Sequence, residues 1–382
     1  MKEKVRVIAY YLPQYHPIPE NDEWWGKGFT EWTNVAMAKP LFHGHYQPRV
    51  PADLGFYDLR LSEVREAQAQ MAKEAGIEGF MYWHYWFGNG RQLLERPFNE
   101  VLASGKPDFP FCLGWANHSW SRKTWTAKNK AGATTGTMML LEQTYPGDDD
   151  YVQHFNALLP AFKDHRYIRV NNKPFFLIYN ILDIPDLKHF MDLWQSLAKQ
   201  NGLDGIHFVA NIMGHAAELK KDEIINSGVD ATVLSNLFYG EGCCAGKLSM
   251  YWQKFRTRVL KMGPERYKYK KFIQCVHNDY EKMENVYPVV YPQLDRTPRA
   301  GRNAVILTGS TPELFGKYLQ DTVDIVQNKK EENRIVIINA WNEWGEGNYI
   351  EPDMKFGKGY LDACKHVLLT REKRDPHAEV AK

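Results

Sequence analysis

Eight short apolar runs, most of them followed by a segment with helical signals, divide this 382-residue chain. They cover residues 5–11, 79–87, 109–117, 175–179, 206–211, 231–238, 272–277 and 334–341. Helical signals fall over 62–76, 91–103, 151–164, 185–200, 218–227, a stretch opening at Ser310 or Thr311 with Pro312 in its first position, and 359–370. Apolar runs without alternation mark strands buried on both faces, which is how parallel sheets read. Strand and helix alternating eight times predict a single (β/α)8 barrel over 1–382. A basic helical insertion is expected near 240–271.

In such barrels chemistry gathers where strands end at the C-terminal face. The last run delivers Trp341-Asn342-Glu343-Trp344-Gly345-Glu346-Gly347 there. Two carboxylates three residues apart, packed among indoles and amides, are candidates for acid and base, because desolvation raises a carboxyl's pKa. The other predicted strand ends carry Tyr11, then Glu31 and Trp32 in the long segment after the first strand, Trp83, His84, Tyr85 and Trp86 after the second, and Trp115, Asn117 and His118 after the third. Asn211 follows the fifth, and Asp295 and Arg299 follow the seventh. Together with Trp341, Asn342 and Trp344 they form a candidate binding set around the catalytic candidates Glu343 and Glu346. Aromatic faces stack on the C–H faces of sugars, and amide and carboxylate groups bond the hydroxyls. The pattern therefore suits a neutral oligo- or polysaccharide.

Charge excludes other partners. Forty-eight Lys and Arg against 46 Asp and Glu leave +2, with no signal for nucleic acid. There is no phosphate-cradling glycine loop and no G-x-S-x-G elbow. His16, His43, His45, Asp53 and Asp58 match no common metal-ligand spacing, so neither metal nor cofactor is expected. The run Asp148-Asp149-Asp150 reads as the acidic start of a helix. Five Cys without C-x-x-C spacing suit a reducing compartment. No leader peptide or bilayer-length apolar run is seen, so a cytoplasmic location is expected, and a secreted or periplasmic one if a leader was trimmed away. Trp252, Phe255, Val259 and Met262 fall on one helical face within 250–262, beside Lys254, Arg256, Arg258 and Lys261. Such a helix can lie on an anionic membrane, but a stripe this narrow is expected to pack over the barrel.

Several of these segments carry a family resemblance. Tyr10-Tyr11-Leu12-Pro13-Gln14-Tyr15-His16, Gly28-Phe29-Thr30-Glu31-Trp32-Thr33-Asn34-Val35, His84-Tyr85-Trp86-Phe87, Trp115-Ala116-Asn117 and the 341–348 motif resemble WbsX-type, glycoside hydrolase family 99-like proteins. Bacterial members of this type are often described as glycosyltransferases of surface-polysaccharide clusters, whereas family 99 proper holds retaining (β/α)8 endo-α-mannosidases and mannanases. The resemblance implies that Glu343 is a base on a sugar 2-hydroxyl, which attacks the anomeric carbon to give a 1,2-anhydro sugar. It implies that Glu346 protonates the leaving oxygen and then activates water. Gly345 stands where those relatives have His. A retaining glycoside hydrolase on an α-linked, manno-configured or related glycan is thus expected. A transferase of O-antigen or capsule biosynthesis and a non-catalytic carbohydrate-binding barrel are the alternatives.

Overall fold

A computed structural model describes residues 4–121, 138–260 and 262–369. Eight parallel strands close on themselves: β1 Arg6–Tyr11, β2 Gly79–Trp86, β3 Phe111–Trp115, β4 Lys173–Ile178, β5 His207–Ile212, β6 Ala231–Leu234, β7 Val286–Val290 and β8 Ile335–Ile338. Each pairs with its neighbours in chain order, and β1 closes the ring by pairing both β2 (Ile8 with Gly79) and β8 (Ile8 with Ile337). The (β/α)8 barrel expected from the alternation is the fold.

The strands are almost wholly buried because helices cover them outside and large side chains fill them inside. Outer helices include Ser62–Glu74, Arg96–Ser104, Asp148–Lys163, Leu187–Gln200 and Pro312–Val326. Asp148, Asp149 and Asp150 occupy the first turn of their helix, where its dipole favours negative charge.

The seventh strand lies outside the apolar run expected to form it. Residues 269–275 form a helix, and the seventh strand is Val286–Val290. Tyr269, Phe272, Ile273 and Val276 are buried at helical spacing, which outweighs the short apolar run. The true strand is masked in sequence by Pro288, a residue that argues against a central strand. The predicted helix at 91–103 also starts later. Gln92–Leu93 first fold back antiparallel on the end of β2, and the helix begins at Arg96. Thr370, the expected end of the last helix, lies outside the described residues.

Between β6 and β7 the chain builds helices Leu237–Ala245 and Lys247–Arg258, strand Glu265–Lys268 and helix Tyr269–Cys275. The strand pairs with Val305–Thr308, which pairs with Leu294–Asp295, giving a small side sheet beside the mouth.

Candidate active site

The period-two alternation of a strand sends neighbouring side chains to opposite faces, and it divides the aromatic end of β2. Tyr82, His84 and Trp86 point outward. Tyr82 packs on Phe98, while His84 meets His154 at 2.9 Å, and Trp86 stacks on His154 with ring centres 4.5 Å apart. Burial pushes the His84 imidazole down to about 3, so it is neutral. Trp83 and Tyr85 point inward. The Trp83 ring lies 4.8 Å from Tyr10 and 5.7 Å from Tyr179, and Tyr179 in turn lies 5.4 Å from His118. Gly114 on β3 makes this possible, since a Cβ there would press on the Trp83 ring at 3.1 Å. Along β5, Phe208 faces the outer helix through Phe190, so Asn211 points into the barrel, where its side-chain oxygen has no hydrogen-bond partner.

The same geometry ties several other candidates to partners within the protein. Tyr11 donates to Gln68 on an outer helix, Trp115 to the Trp86 carbonyl, and Trp32 to the Tyr57 carbonyl. Asn117 is satisfied by Tyr145 and the Asn180 backbone. Asn342 is committed to the Leu12 backbone, accepting from its N–H and donating to its carbonyl. Trp341 and Trp344 are fully buried, against Phe80 and Tyr349 respectively. These side chains, with His84 and Trp86, hold the walls. Strand-end position alone does not reveal which face of the strand such side chains occupy.

At the mouth the carboxylates converge on one cation. Arg299 Nε donates to Glu31 Oε1 at 2.8 Å, one terminal nitrogen to Glu343 Oε2 at 2.8 Å, and the other to Glu346 Oε1 at 3.0 Å. Arg296 adds a second contact to Glu346 at 3.1 Å. Three elements deliver these groups. Glu31 opens the helix Glu31–Met37, which is started by a Thr30–Thr33 capping box. Glu343 and Glu346 bracket the single turn Trp344–Glu346 after β8. Arg299 rides on the short helix Thr297–Ala300, which Asp295 holds through the Thr297 N–H and hydroxyl. Asp295 is itself fixed by His45 and Gln47, both at 2.8 Å. Burial pushes its pKa up, but the His45 hydrogen bond and the Arg49 charge outweigh this and bring it to about 2. Asp295 thus acts as a buried bracket for Arg299, and it was the role, not the location, that sequence could not supply.

The three glutamates differ in proton affinity. Burial raises Glu343 to about 7, with Arg299 opposing and Glu346 and Glu31 adding to the rise. Burial also raises Glu31, against the pull of Arg299. Glu346 goes the other way. Burial works upward, but Arg296 and Arg299 together hold it below the usual carboxylate range. The two carboxylates of the turn are thus shifted in opposite directions, Glu343 up and Glu346 down.

Sequence reading missed Arg296, Tyr179, Tyr15 and Glu351. The Tyr15 hydroxyl accepts from the Trp344 N–H at 3.3 Å and also meets the Asn342 carbonyl, which pins the turn carrying both glutamates. Buried Glu351 accepts from Trp344 Nε1 at 2.6 Å, Tyr57 at 2.8 Å and Gln68 at 2.7 Å. Tyr15 sits inside a quoted motif; Glu351, eight residues past Glu343, had no local signal. Among the described residues no group of three or more His, Cys, Asp and Glu is arranged to hold a metal ion.

Comparison with known proteins agrees with this architecture. The family model described as Glycosyltransferase WbsX matches residues 7–364. Two curated relatives, both called uncharacterized protein WxcX, come from Xanthomonas campestris pv. campestris strains B100 and ATCC 33913. They are 35% and 36% identical over 95% of this chain. The chain spans about half of their length, 49% in each case. Among solved structures, a glycoside hydrolase-like protein is similar with a TM-score of 0.58 at 16% identity, over 96% of this chain and 94% of the other. The GH99 endo-alpha-mannosidase from Bacteroides thetaiotaomicron in complex with BIS-TRIS-propane gives 0.51 at 15% identity, over 95% and 96%. At such identities the likeness is one of fold. With the family model spanning nearly the whole chain and relatives above one third identity, the chain belongs to the WbsX glycosyltransferase family.

Proposed function

We propose that the chain is a glycan-active enzyme and that Glu343 and Glu346 are its catalytic pair. The observation that carries this is the gathering of both carboxylates on Arg299 at a barrel mouth walled by Trp83, Tyr179 and Tyr85. The reaction is hydrolysis of an α-linked, manno-configured or related glycan with retention. Two carboxylates gathered on one guanidinium suit neighbouring-group participation, which does not need them to face each other across the scissile bond. Glu343 takes the proton of the sugar 2-hydroxyl, and that oxygen displaces the leaving group to form a 1,2-anhydro sugar. Glu346 protonates the leaving oxygen, then removes a proton from the water that reopens the ring, while Glu343 returns its proton to the 2-oxygen. A base with a pKa near 7 is well matched to neutral pH. Glu346 gains proton affinity when an entering glycan displaces Arg296, whose side chain is half exposed. The chemistry uses no cofactor or metal.

The test is digestion of a broad α-glycan and polysaccharide panel with the product anomer followed by NMR from the first minutes. Retention is expected, and initial inversion sinks the anhydro-sugar route. The rival reading is a transferase in surface-polysaccharide assembly, favoured by the description of the family. Calorimetric titration with common nucleotide sugars distinguishes it, since the hydrolase reading expects no heat.

The pair must enter the reaction carrying one proton, which reaches Glu346 as the glycan binds. Glu343 is the group that loses that proton as pH rises through about 7, leaving both ionised. The ratio kcat/KM, which reports the free enzyme, should therefore fall as pH rises through neutrality. A value that keeps climbing above neutrality contradicts the single-proton pair.

A further inference from the structure

The helix Lys247–Arg258 is amphipathic but mounted inside out. Its polar side holds it to the protein. Gln253 exchanges hydrogen bonds with the Arg266 backbone at 2.9 and 2.8 Å, Arg256 donates to the Pro264 carbonyl at 2.9 Å, and buried Thr257 donates to the Gly263 carbonyl at 2.7 Å. Lys254 lies over the Phe238 ring at 4.8 Å. The apolar stripe instead faces out, along the helix and just past its end. Leu248 is 88% exposed, Tyr251 64%, Trp252 58%, Phe255 44%, Val259 61% and Met262 62%. This corrects the expectation that the stripe packs over the barrel. Isolated exposed apolar side chains are ordinary, but four on one helix and two just past its end are the kind of grouping that marks an interaction surface.

The charge around the patch selects the partner. Residues 242–264 contain no Asp or Glu, and 242–271 contain nine Lys and Arg against Glu265 alone, which is buried. Arg266, Lys268, Lys270 and Lys271 are exposed. Lys261 lies outside the described residues. A protein partner would require matching acidic groups at particular places. An anionic bilayer supplies negative charge everywhere and an apolar layer just beneath it, which fits aromatic and aliphatic side chains ringed by lysine and arginine. No helix among the described residues is long and apolar enough to cross a membrane, so the fit is to a surface-lying helix.

The segment follows β6, so it rises from the C-terminal face of the barrel. The helix also touches the turn Gly301–Asn303, which directly continues the short helix carrying Arg299. We propose that Lys247–Arg258, with the basic segment 266–271, docks the barrel onto an anionic membrane surface, bringing the mouth close to the bilayer. This rests on the exposed stripe and the charge run and is independent of the catalytic reading.

Sedimentation of the full chain with vesicles tests it, comparing phosphatidylcholine alone with phosphatidylcholine and phosphatidylglycerol in equal parts. Binding is expected to the mixed vesicles only, weakening with added salt. Substituting Trp252→Glu with Phe255→Glu should reduce binding at least roughly tenfold, because it removes the inserting stripe. Lys268→Gln, Lys270→Gln and Lys271→Gln should each cost about fivefold, the equivalent of one surface charge near anionic lipid. All five side chains are exposed, and unchanged circular dichroism and melting would confirm that the variants fold. Three results overturn the proposal: no sedimentation with mixed vesicles, binding indifferent to these variants, or a solution dimer that Trp252→Glu dissolves, which would make the stripe a contact between copies of the chain.

Discussion

Glu346→Gln is expected to lower turnover of an unactivated glycan by roughly 10² to 10⁴-fold, the range typical for losing a positioned general acid and base. Glutamine keeps the shape of the side chain and can still accept from Arg299 and Arg296, which now bond Glu346 at 3.0 and 3.1 Å. Folding should therefore be little affected, and melting of the variant checks this. The loss should depend on the leaving group. A substrate whose leaving group needs no proton bypasses the first duty of Glu346, so its glycosidic bond should break at near the wild-type rate and give a burst. The slow step is then opening of the anhydro sugar, where Glu346 is needed as base. Glu343→Gln should show no such recovery, because removal of the 2-hydroxyl proton is required with any leaving group. A Glu346→Gln variant that gives no burst with an activated substrate would exclude Glu346 as the proton donor. Full activity in Glu346→Gln would remove the pair from catalysis altogether.

The contrast between β2 and the 341–347 motif shows where sequence legibility stopped. The barrel was readable because burial on both faces leaves continuous apolar runs, as in Ile335-Val336-Ile337-Ile338, and because Ser, Thr, Pro and Gly punctuate the helices. The seventh strand was lost because Pro288 interrupts it while a helix next door presents a short apolar run. The same doubly buried character hid the orientation of the mouth residues. In Tyr82-Trp83-His84-Tyr85-Trp86 both faces are aromatic, so no polar alternation marks which ones turn inward. Only the packed structure assigns Trp83 and Tyr85 to the mouth and His84 and Trp86 to the wall. The glutamates could be singled out because charge beside indole is costly and hence rare. Their joint dependence on Arg299, more than forty residues upstream, and on Glu31, more than three hundred upstream, is a tertiary fact with no local signature.

That tertiary fact makes Gly345 the most sensitive position in the motif. Gly345→Ala is expected to cost about 3–5 kcal/mol of stability, the scale of breaking a buried ion pair on one side. A Cβ at 345 would overlap Glu31 Oε1, come within 2.6 Å of the Glu31 carboxyl carbon, and stand 2.9 Å from Arg299 Nε. Glu31 has no exposed surface to retreat to. Leaving Arg299 would strand a buried carboxylate whose other oxygen already has no hydrogen-bond partner. The turn cannot readily yield either. Asn342 is tied to Leu12, the Trp344 N–H to Tyr15, and the Trp344 indole to Glu351 while stacked 3.7 Å from Tyr349. Activity should fall along with stability, because Glu31 fixes the Nε edge of the guanidinium whose other two nitrogens hold Glu343 and Glu346. A double-mutant cycle measured by denaturant unfolding checks the cause. With Glu31→Ala in place, adding Gly345→Ala should cost under about 1 kcal/mol, a strongly non-additive result that separate sites would not give. Additive costs would mean that the Glu31 contact is incidental. A histidine at 345 would be larger still, so it cannot share this site with a buried Glu31. Gly345 and the third carboxylate on Arg299 are therefore one feature, in which Glu31 fills the space that a side chain at 345 would otherwise take.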